Sequence, residues 1–184
     1  MKEYLALFDL DGTLFDTREV NFCSYKDALL SYGFILDREY FANNCFGRNY
    51  KEFLPEIMLG KENIEKVHKE KKELYTQYLG KARINQHLFN IIDKIKEDYY
   101  IAIVTTASKK NTMDILCYFG YQDYFDYIIT QEDIRKKKPD PECFYLAMKH
   151  FQADAAHTVI FEDSPVGIEA ANATGATVFV VNRM

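Results

Sequence analysis

Short apolar runs recur along the chain, each ending on a polar residue. They are Tyr4-Leu5-Ala6-Leu7-Phe8, Ile101-Ala102-Ile103-Val104, Tyr127-Ile128-Ile129, Thr158-Val159-Ile160-Phe161 and Thr177-Val178-Phe179-Val180-Val181. Continuous runs of this length suit strands buried on both faces. Helical patterns separate most of them. Leu88, Ile91, Ile92 and Ile95 recur at helical spacing before the second run, and Met113, Leu116 and Cys117 after it. Asp140-Pro141 reads as an N-cap with proline at the first helical position, leading into Phe144, Ala147, Met148 and Phe151. Val166 to Thr174 reads as a further helix stopped by Gly175. Strands alternating with helices predict an α/β fold: a Rossmann-like, parallel five-stranded sheet with helices on both faces.

The interval between the first two runs breaks this rhythm. From Thr17 to Gln86 no convincing strand is present. Tyr25, Ala28, Leu29 and Tyr32 make one amphipathic helical face, and Ile64, Val67, Lys71, Leu74, Tyr75 and Tyr78 another. This is too much chain for a simple crossover, so an inserted helical cap is expected over residues 17–86. The α/β core is then residues 1–16 and 87–184.

The suggestive chemistry falls just after the strands, where open α/β sheets bind ligands. Asp9-Leu10-Asp11-Gly12-Thr13 places two carboxylates at i and i+2, followed by a glycine for a tight turn. Asp9 can attack phosphorus and bind a metal, and Asp11 can protonate a leaving oxygen and then activate water. Alone, the segment also fits an ordinary Asp-Gly surface turn. Thr105 and Thr106 offer a hydroxyl and backbone N–H groups to a phosphate, or simply end a strand. Lys138, before Pro139-Asp140-Pro141, can neutralise a phosphoryl group and Asp9, or belong to a solvated run from Lys136. Glu162-Asp163-Ser164 sets adjacent acids at a buried strand end, which is costly unless they bind a cation, or else caps the next helix. With Asp9 and the Asp11 carbonyl, Glu162 and Asp163 make an oxygen-rich site suited to Mg2+. Such an ion, with Lys138, offsets the repulsion between Asp9 and an incoming phosphate.

In this order the four segments resemble the haloacid dehalogenase-like (HAD) superfamily, and the run from Ser164 through Gly175 is similar to it as well. The helical insertion after the first segment resembles the β-phosphoglucomutase and phosphoglycolate phosphatase branch. The resemblance implies a HAD fold with Asp9 as nucleophile and metal ligand, and Asp11 as general acid/base that also meets the metal through its carbonyl. It implies phosphate binding by Thr105, Thr106 and Lys138, and a magnesium shell completed by Glu162 and Asp163. An acid at Asp11 speaks against dehalogenation and phosphonate cleavage. Asn21 stands where the mutases carry a histidine, and Arg48 lies near their arginine position, which favours hydrolysis over mutase chemistry. Ile84-Asn85-Gln86-His87 replaces the usual Pro-Gly before the helix. The chain stops at Met184, where many relatives add a strand and a helix, so an exposed sheet edge is expected.

Composition narrows the field without redirecting it. The 184 residues are 48% hydrophobic and 28% charged, with a formal net charge of −5, which argues against a nucleic-acid-binding protein. No apolar run reaches the roughly 18 residues needed to span a bilayer, and Met1 to Phe8 lack a signal-peptide core. Cys23, Cys45, Cys117 and Cys143 have no metal or disulfide spacing, and a cytoplasmic protein with reduced thiols is expected. Within the insertion, Arg48, Lys51 and Lys71 are candidates to contact an anionic or hydroxylated substrate, or are helix charges in solvent. The expected partner is a small phosphorylated metabolite, the expected state a monomer or weak dimer. Three functions stand: a Mg2+-dependent phosphatase acting through an aspartyl-phosphate, a phosphosugar mutase, and a non-catalytic domain keeping the fold.

Overall fold

The structure is a computed structural model that describes residues 2–60 and 62–182; Met1 and Met184, noted above, lie outside that set. The chain divides into two compact units, one running through Asp16 and resuming at Ile84, the other Thr17–Arg83. The first contains β1 (Tyr4–Phe8), which leads to the two-residue strand β2 (Phe15–Asp16). The helical unit follows with α1 (Arg18–Leu30), α2 (Arg38–Asn44), α3 (Tyr50–Ile57), α4 (Ile64–Leu74) and a 3-10 turn over Tyr75–Lys81. After β3 (Arg83–Ile84) come α5 (Gln86–Ile95), β4 (Tyr99–Val104), α6 (Lys109–Phe119), β5 (Tyr127–Ile129) and α7 (Glu142–Phe151). The last elements are β6 (Thr158–Glu162), α8 (Pro165–Asn172) and β7 (Thr177–Val180).

The main sheet has the order β5-β4-β1-β6-β7, with every neighbouring pair parallel. β1 sits at its centre because its residues are apolar on both faces: Leu5, Ala6, Leu7 and Phe8 are fully buried. Leu5 and Leu7 face a core shared with Ala102, Val104 and Ile160 and with Phe144, Ala147 and Met148 of α7 and Ala170 and Ala171 of α8. The small alanines of α8 let that helix approach the strands closely. Order reverses at β1: the chain proceeds to β4 and β5 on one side, then crosses to β6 and β7 on the other. The C-terminal ends of β1 and β6 therefore flank the topological switch point, where doubly wound sheets bind ligands.

Several expected boundaries shift for local reasons. α7 starts at Glu142, because Pro141 sits at φ −77°, ψ 3° outside the regular helix, while the Asp140 carboxylate accepts the Glu142 N–H at 3.0 Å. α8 runs from Pro165 to Asn172, and Gly175 follows it at φ +78°. The short β3 falls in a stretch expected to lack strands. Ile91 is exposed, and the buried face of α5 is Leu88, Phe89 and Ile92.

The helical unit has its own core, built from Phe22, Tyr25, Ala28 and Leu29 of α1 with Phe41, Phe53, Leu54 and Val67. In the α/β unit, one carboxylate ties two strands together. Asp126, just before β5, accepts the Ile101 N–H at 2.7 Å and the Lys2 ammonium at 3.1 Å. We expect Asp126→Ala to cost about 1–3 kcal/mol in denaturant unfolding, because the Ile101 N–H of a buried strand loses its partner. Lys2→Ala should cost less than about 1 kcal/mol, as its ion pair is partly exposed.

Candidate active site

Asp9 is the first residue past β1, and its N–H still continues the sheet by donating to Phe161 O at 3.0 Å. The registers Phe8↔Phe161 and Phe8↔Ile103 bring the ends of β6 and β4 alongside. Lys138 reaches this point from the β5–α7 loop, and its peptide bond to Pro139 is cis. Its Nζ donates to Asp9 Oδ1 at 2.8 Å, Glu162 Oε1 at 2.5 Å and Val104 O at 3.1 Å. Both ion pairs are buried, the Lys138 side chain being 4% exposed and that of Glu162 0%. One ammonium thus joins the ends of three adjacent strands.

Glu162 is fully engaged. While Oε1 takes Lys138, Oε2 accepts the Asp163 N–H at 2.9 Å, the Ser164 N–H at 3.0 Å and the Ser164 hydroxyl at 3.1 Å. Ser164 also caps α8, its Oγ accepting the Gly167 N–H at 3.1 Å. Gly167 is required by proximity, since a Cβ there would run into the Glu162 carboxyl. Gly12 is required twice over: it sits at φ +99°, and a Cβ would strike Asp163. Thr13, wholly buried, donates its hydroxyl to Asp163 Oδ1 at 3.3 Å.

Carboxylate oxygens of Asp9, Glu162 and Asp163 lie within 4.8 Å of one another. Burial drives the Asp9 carboxyl well above the usual carboxylate range; Lys138 opposes this, and the Glu162 and Asp163 charges reinforce it. For Lys138, burial favours losing the proton, but the Asp9 and Glu162 carboxylates more than reverse that and hold the ammonium charged. The cluster sets three carboxylates against one ammonium, a surplus of negative charge that suits a hard divalent cation. Because Glu162 is occupied by Lys138 and three donors, Asp9 and Asp163 are the better placed to hold such an ion.

Of the other expected residues, Asp11 is half-buried in the loop after β1, forming a bridge to Phe15. Thr105 is buried at the end of β4; its N–H donates to Ile129 O and its Oγ1 accepts the Ala107 N–H at 3.0 Å, shaping the turn into α6. Thr106 is exposed in that turn. The three candidates in the helical unit are each engaged within it. Arg48 pairs with Glu56 at 2.9 Å and Glu52 at 3.5 Å, and Lys51 with Glu65 at 3.4 Å. Lys71 is buried, with its ammonium over the rings of Tyr25 and Tyr75 at 5.1 and 4.8 Å. Sequence reasoning assigned no role to Thr13 or Gly167. The signal for Gly167 was present: a glycine inside an apolar helix needs a packing reason.

Comparison with known proteins fits this geometry. A model of the haloacid dehalogenase-like hydrolases matches residues 6–181. The chain belongs to that family. It is an enzyme of the HAD-like hydrolase type. Among curated relatives, the phosphorylated carbohydrates phosphatase of Thermotoga maritima is 29% identical over 178 residues, covering 92% of this chain and 81% of the relative. The fructose-1-phosphate phosphatase YqaB of Escherichia coli is 23% identical over 171 residues, covering 92% and 91%. The crystal structure of CbbY from Rhodobacter sphaeroides with phosphate superposes with a TM-score of 0.87 at 24% identity, covering all of this chain and 88% of CbbY, and shares the fold.

The HAD core of this chain depends on the buried lysine. Lys138→Met should destabilise the protein by about 3–5 kcal/mol in chemical denaturation, since Asp9 and Glu162 lose their counter-charge. Gly167→Ala should also lower the melting temperature and abolish turnover, whereas alanine at an ordinary interior glycine of a helix would stabilise it by about 1 kcal/mol.

Proposed function

We propose that the protein is a Mg2+-dependent phosphatase of small phosphorylated carbohydrates, acting through an aspartyl-phosphate on Asp9. The observation that carries this reading is the buried Lys138 ammonium bonded to both Asp9 and Glu162 at the switch point of the sheet. The substrate class follows the curated relatives, which are phosphatases of phosphorylated carbohydrates and of fructose 1-phosphate.

In this reading Lys138 holds the Asp9 carboxylate with one oxygen engaged and the other directed to phosphorus. Asp9 attacks, an O–P bond forms, and the bond to the sugar oxygen breaks. Asp11 delivers a proton to that oxygen, then removes one from the water that attacks the aspartyl-phosphate, releasing inorganic phosphate and restoring Asp9. Thr105 and the N–H groups of the following turn bind the non-reacting phosphate oxygens, with Thr106 at its rim. Glu162 acts on the reaction by orienting Lys138. Asp9, Asp163 and the Asp11 carbonyl would hold Mg2+, which would supply positive charge where phosphate meets carboxylate. Substrate discrimination is assigned to the helical unit, since it interrupts the chain directly after the loop that carries Asp9 and Asp11. Within that unit Arg48 and Lys51 pair with acids, and the Lys71 ammonium lies over the rings of Tyr25 and Tyr75.

Phosphate release should be measured from a panel of sugar monophosphates with Mg2+ or chelator. Asp9→Asn should remove turnover entirely, and Asp11→Asn should lower kcat at least about 100-fold through loss of acid/base catalysis. A panel with no turnover, or turnover surviving Asp9→Asn, would defeat the proposal. Isomerisation of a hexose phosphate without phosphate release would instead make it a mutase. Independently of turnover, Mg2+ should raise the melting temperature of the wild type. That increase should be lost in Asp163→Asn.

A further inference from the structure

The loop that carries Asp11 closes on itself. Leu10 O accepts the N–H groups of Leu14 and Phe15 at 3.1 and 3.0 Å, and the Gly12 N–H donates to Phe15 O at 2.7 Å. On its far side Thr13 and Leu14 are wholly buried, so their carbonyl oxygens cannot turn to water and need donors from the protein. One residue supplies both. Asn85 lies just past the point where the chain re-enters the α/β unit. It donates its N–H to Leu14 O at 2.9 Å and its side-chain amide to Thr13 O at 3.1 Å.

Asn85 has a separate task in its own helix. Its Oδ1 accepts the Leu88 N–H at 3.4 Å as the N-cap of α5. A cap needs only an oxygen, and serine or aspartate serves about as well as asparagine. The amide nitrogen is not required for capping, yet it is buried and bonded to the Asp11 loop. From Thr13 the connection runs on into the carboxylate cluster, since the Thr13 hydroxyl donates to Asp163 Oδ1 at 3.3 Å.

We propose that Asn85 is a positioning residue for Asp11, holding the loop over residues 10–15 by the Thr13 carbonyl so that the Asp11 carboxyl meets the leaving oxygen of the substrate. This rests on the phosphatase reading above. Asp11 is half-buried and two residues from Thr13, so a shift of the Thr13 peptide carries the acid with it. Proton transfer needs heavy atoms about 2.6–3.2 Å apart. A displacement of about 1 Å can cost about 100-fold in rate.

Asn85→Ser keeps a capping oxygen and removes the amide donor. Its kcat/KM should be compared with wild type on two substrates, fructose 1-phosphate (or the sugar monophosphate of the panel that turns over fastest) and p-nitrophenyl phosphate. A sugar oxygen needs its proton as the bond to phosphorus breaks, whereas p-nitrophenolate leaves without one. The loss should be at least about tenfold on the sugar phosphate and less than about twofold on p-nitrophenyl phosphate. Independently of turnover, hydrogen exchange at the Gly12 and Leu14 amides should quicken at least about tenfold, while that at Phe89 and Ile92 of α5 holds. If the serine variant fails to fold, Asn85→Asp decides, since it replaces only the nitrogen. Equal losses on the two substrates, no loss on the sugar phosphate, or unchanged exchange in the loop would each overturn the inference and leave the phosphatase reading standing. A wild type inactive on every phosphate would defeat that reading, and this inference with it.

Discussion

One ammonium group ties together the ends of three strands. Lys138 Nζ is removed from water and bonded to Asp9, Glu162 and the Val104 carbonyl, so it depends on the ends of β1, β6 and β4 together. A buried charge is tolerated only with partners in good geometry. That requirement fixes the register of three strands at one end, since a slip of one residue would turn Asp9 or Glu162 to the opposite face of the sheet. The demand then spreads outward. Glu162 needs donors for its second oxygen and takes them from Asp163 and Ser164. Ser164 in turn starts α8, and α8 approaches closely enough that only glycine fits at position 167.

The same arrangement leaves the site with more than a balanced buried salt bridge. A single lysine cannot neutralise Asp9, Glu162 and Asp163, and burial makes the surplus negative charge expensive, most of all at Asp9. A site poised in this way gains from a divalent cation and from chemistry that moves charge off Asp9. In the proposed reaction, forming an acyl phosphate on Asp9 would do so directly. The division of labour between the two adjacent acids follows from their contacts: Glu162 faces inward and is saturated, while Asp163 touches Thr13 and the Gly12 backbone turn and is half-buried.

The strands were legible because each carries a strong local signal, and the four chemical segments because they occur together and in order, each being ambiguous alone. A run apolar at every position admits few readings, and three of the runs lead directly into candidate residues: Asp9, Thr105 and Glu162. β3 was not legible, because two residues display no periodicity. Lys71 shows how a correct pattern can carry two meanings: it falls on the apolar face of α4 by spacing, and its charge also suggested a substrate contact. In the structure the helical face wins, with the aliphatic stem buried and the ammonium set against Tyr25 and Tyr75. Arg48 was half legible, since Glu52 lies four residues on, but Glu56 joins only once α3 forms.

Places where the sequence opposes its own local structure mark the site better than places where it agrees. Gly167 is the third residue of an eight-residue helix, where glycine is less favourable than alanine by up to about 1 kcal/mol. Nothing in α8 itself accounts for it. The cause lies in the preceding strand, where Glu162 is held flat beneath the helix to face Lys138. Two adjacent acids at the end of an apolar strand are a second conflict, and a lysine buried among proline-bordered loop residues is a third. Each is unfavourable alone. They are relieved by one another, so the three form a single electrostatic unit whose remaining negative charge suits a divalent cation.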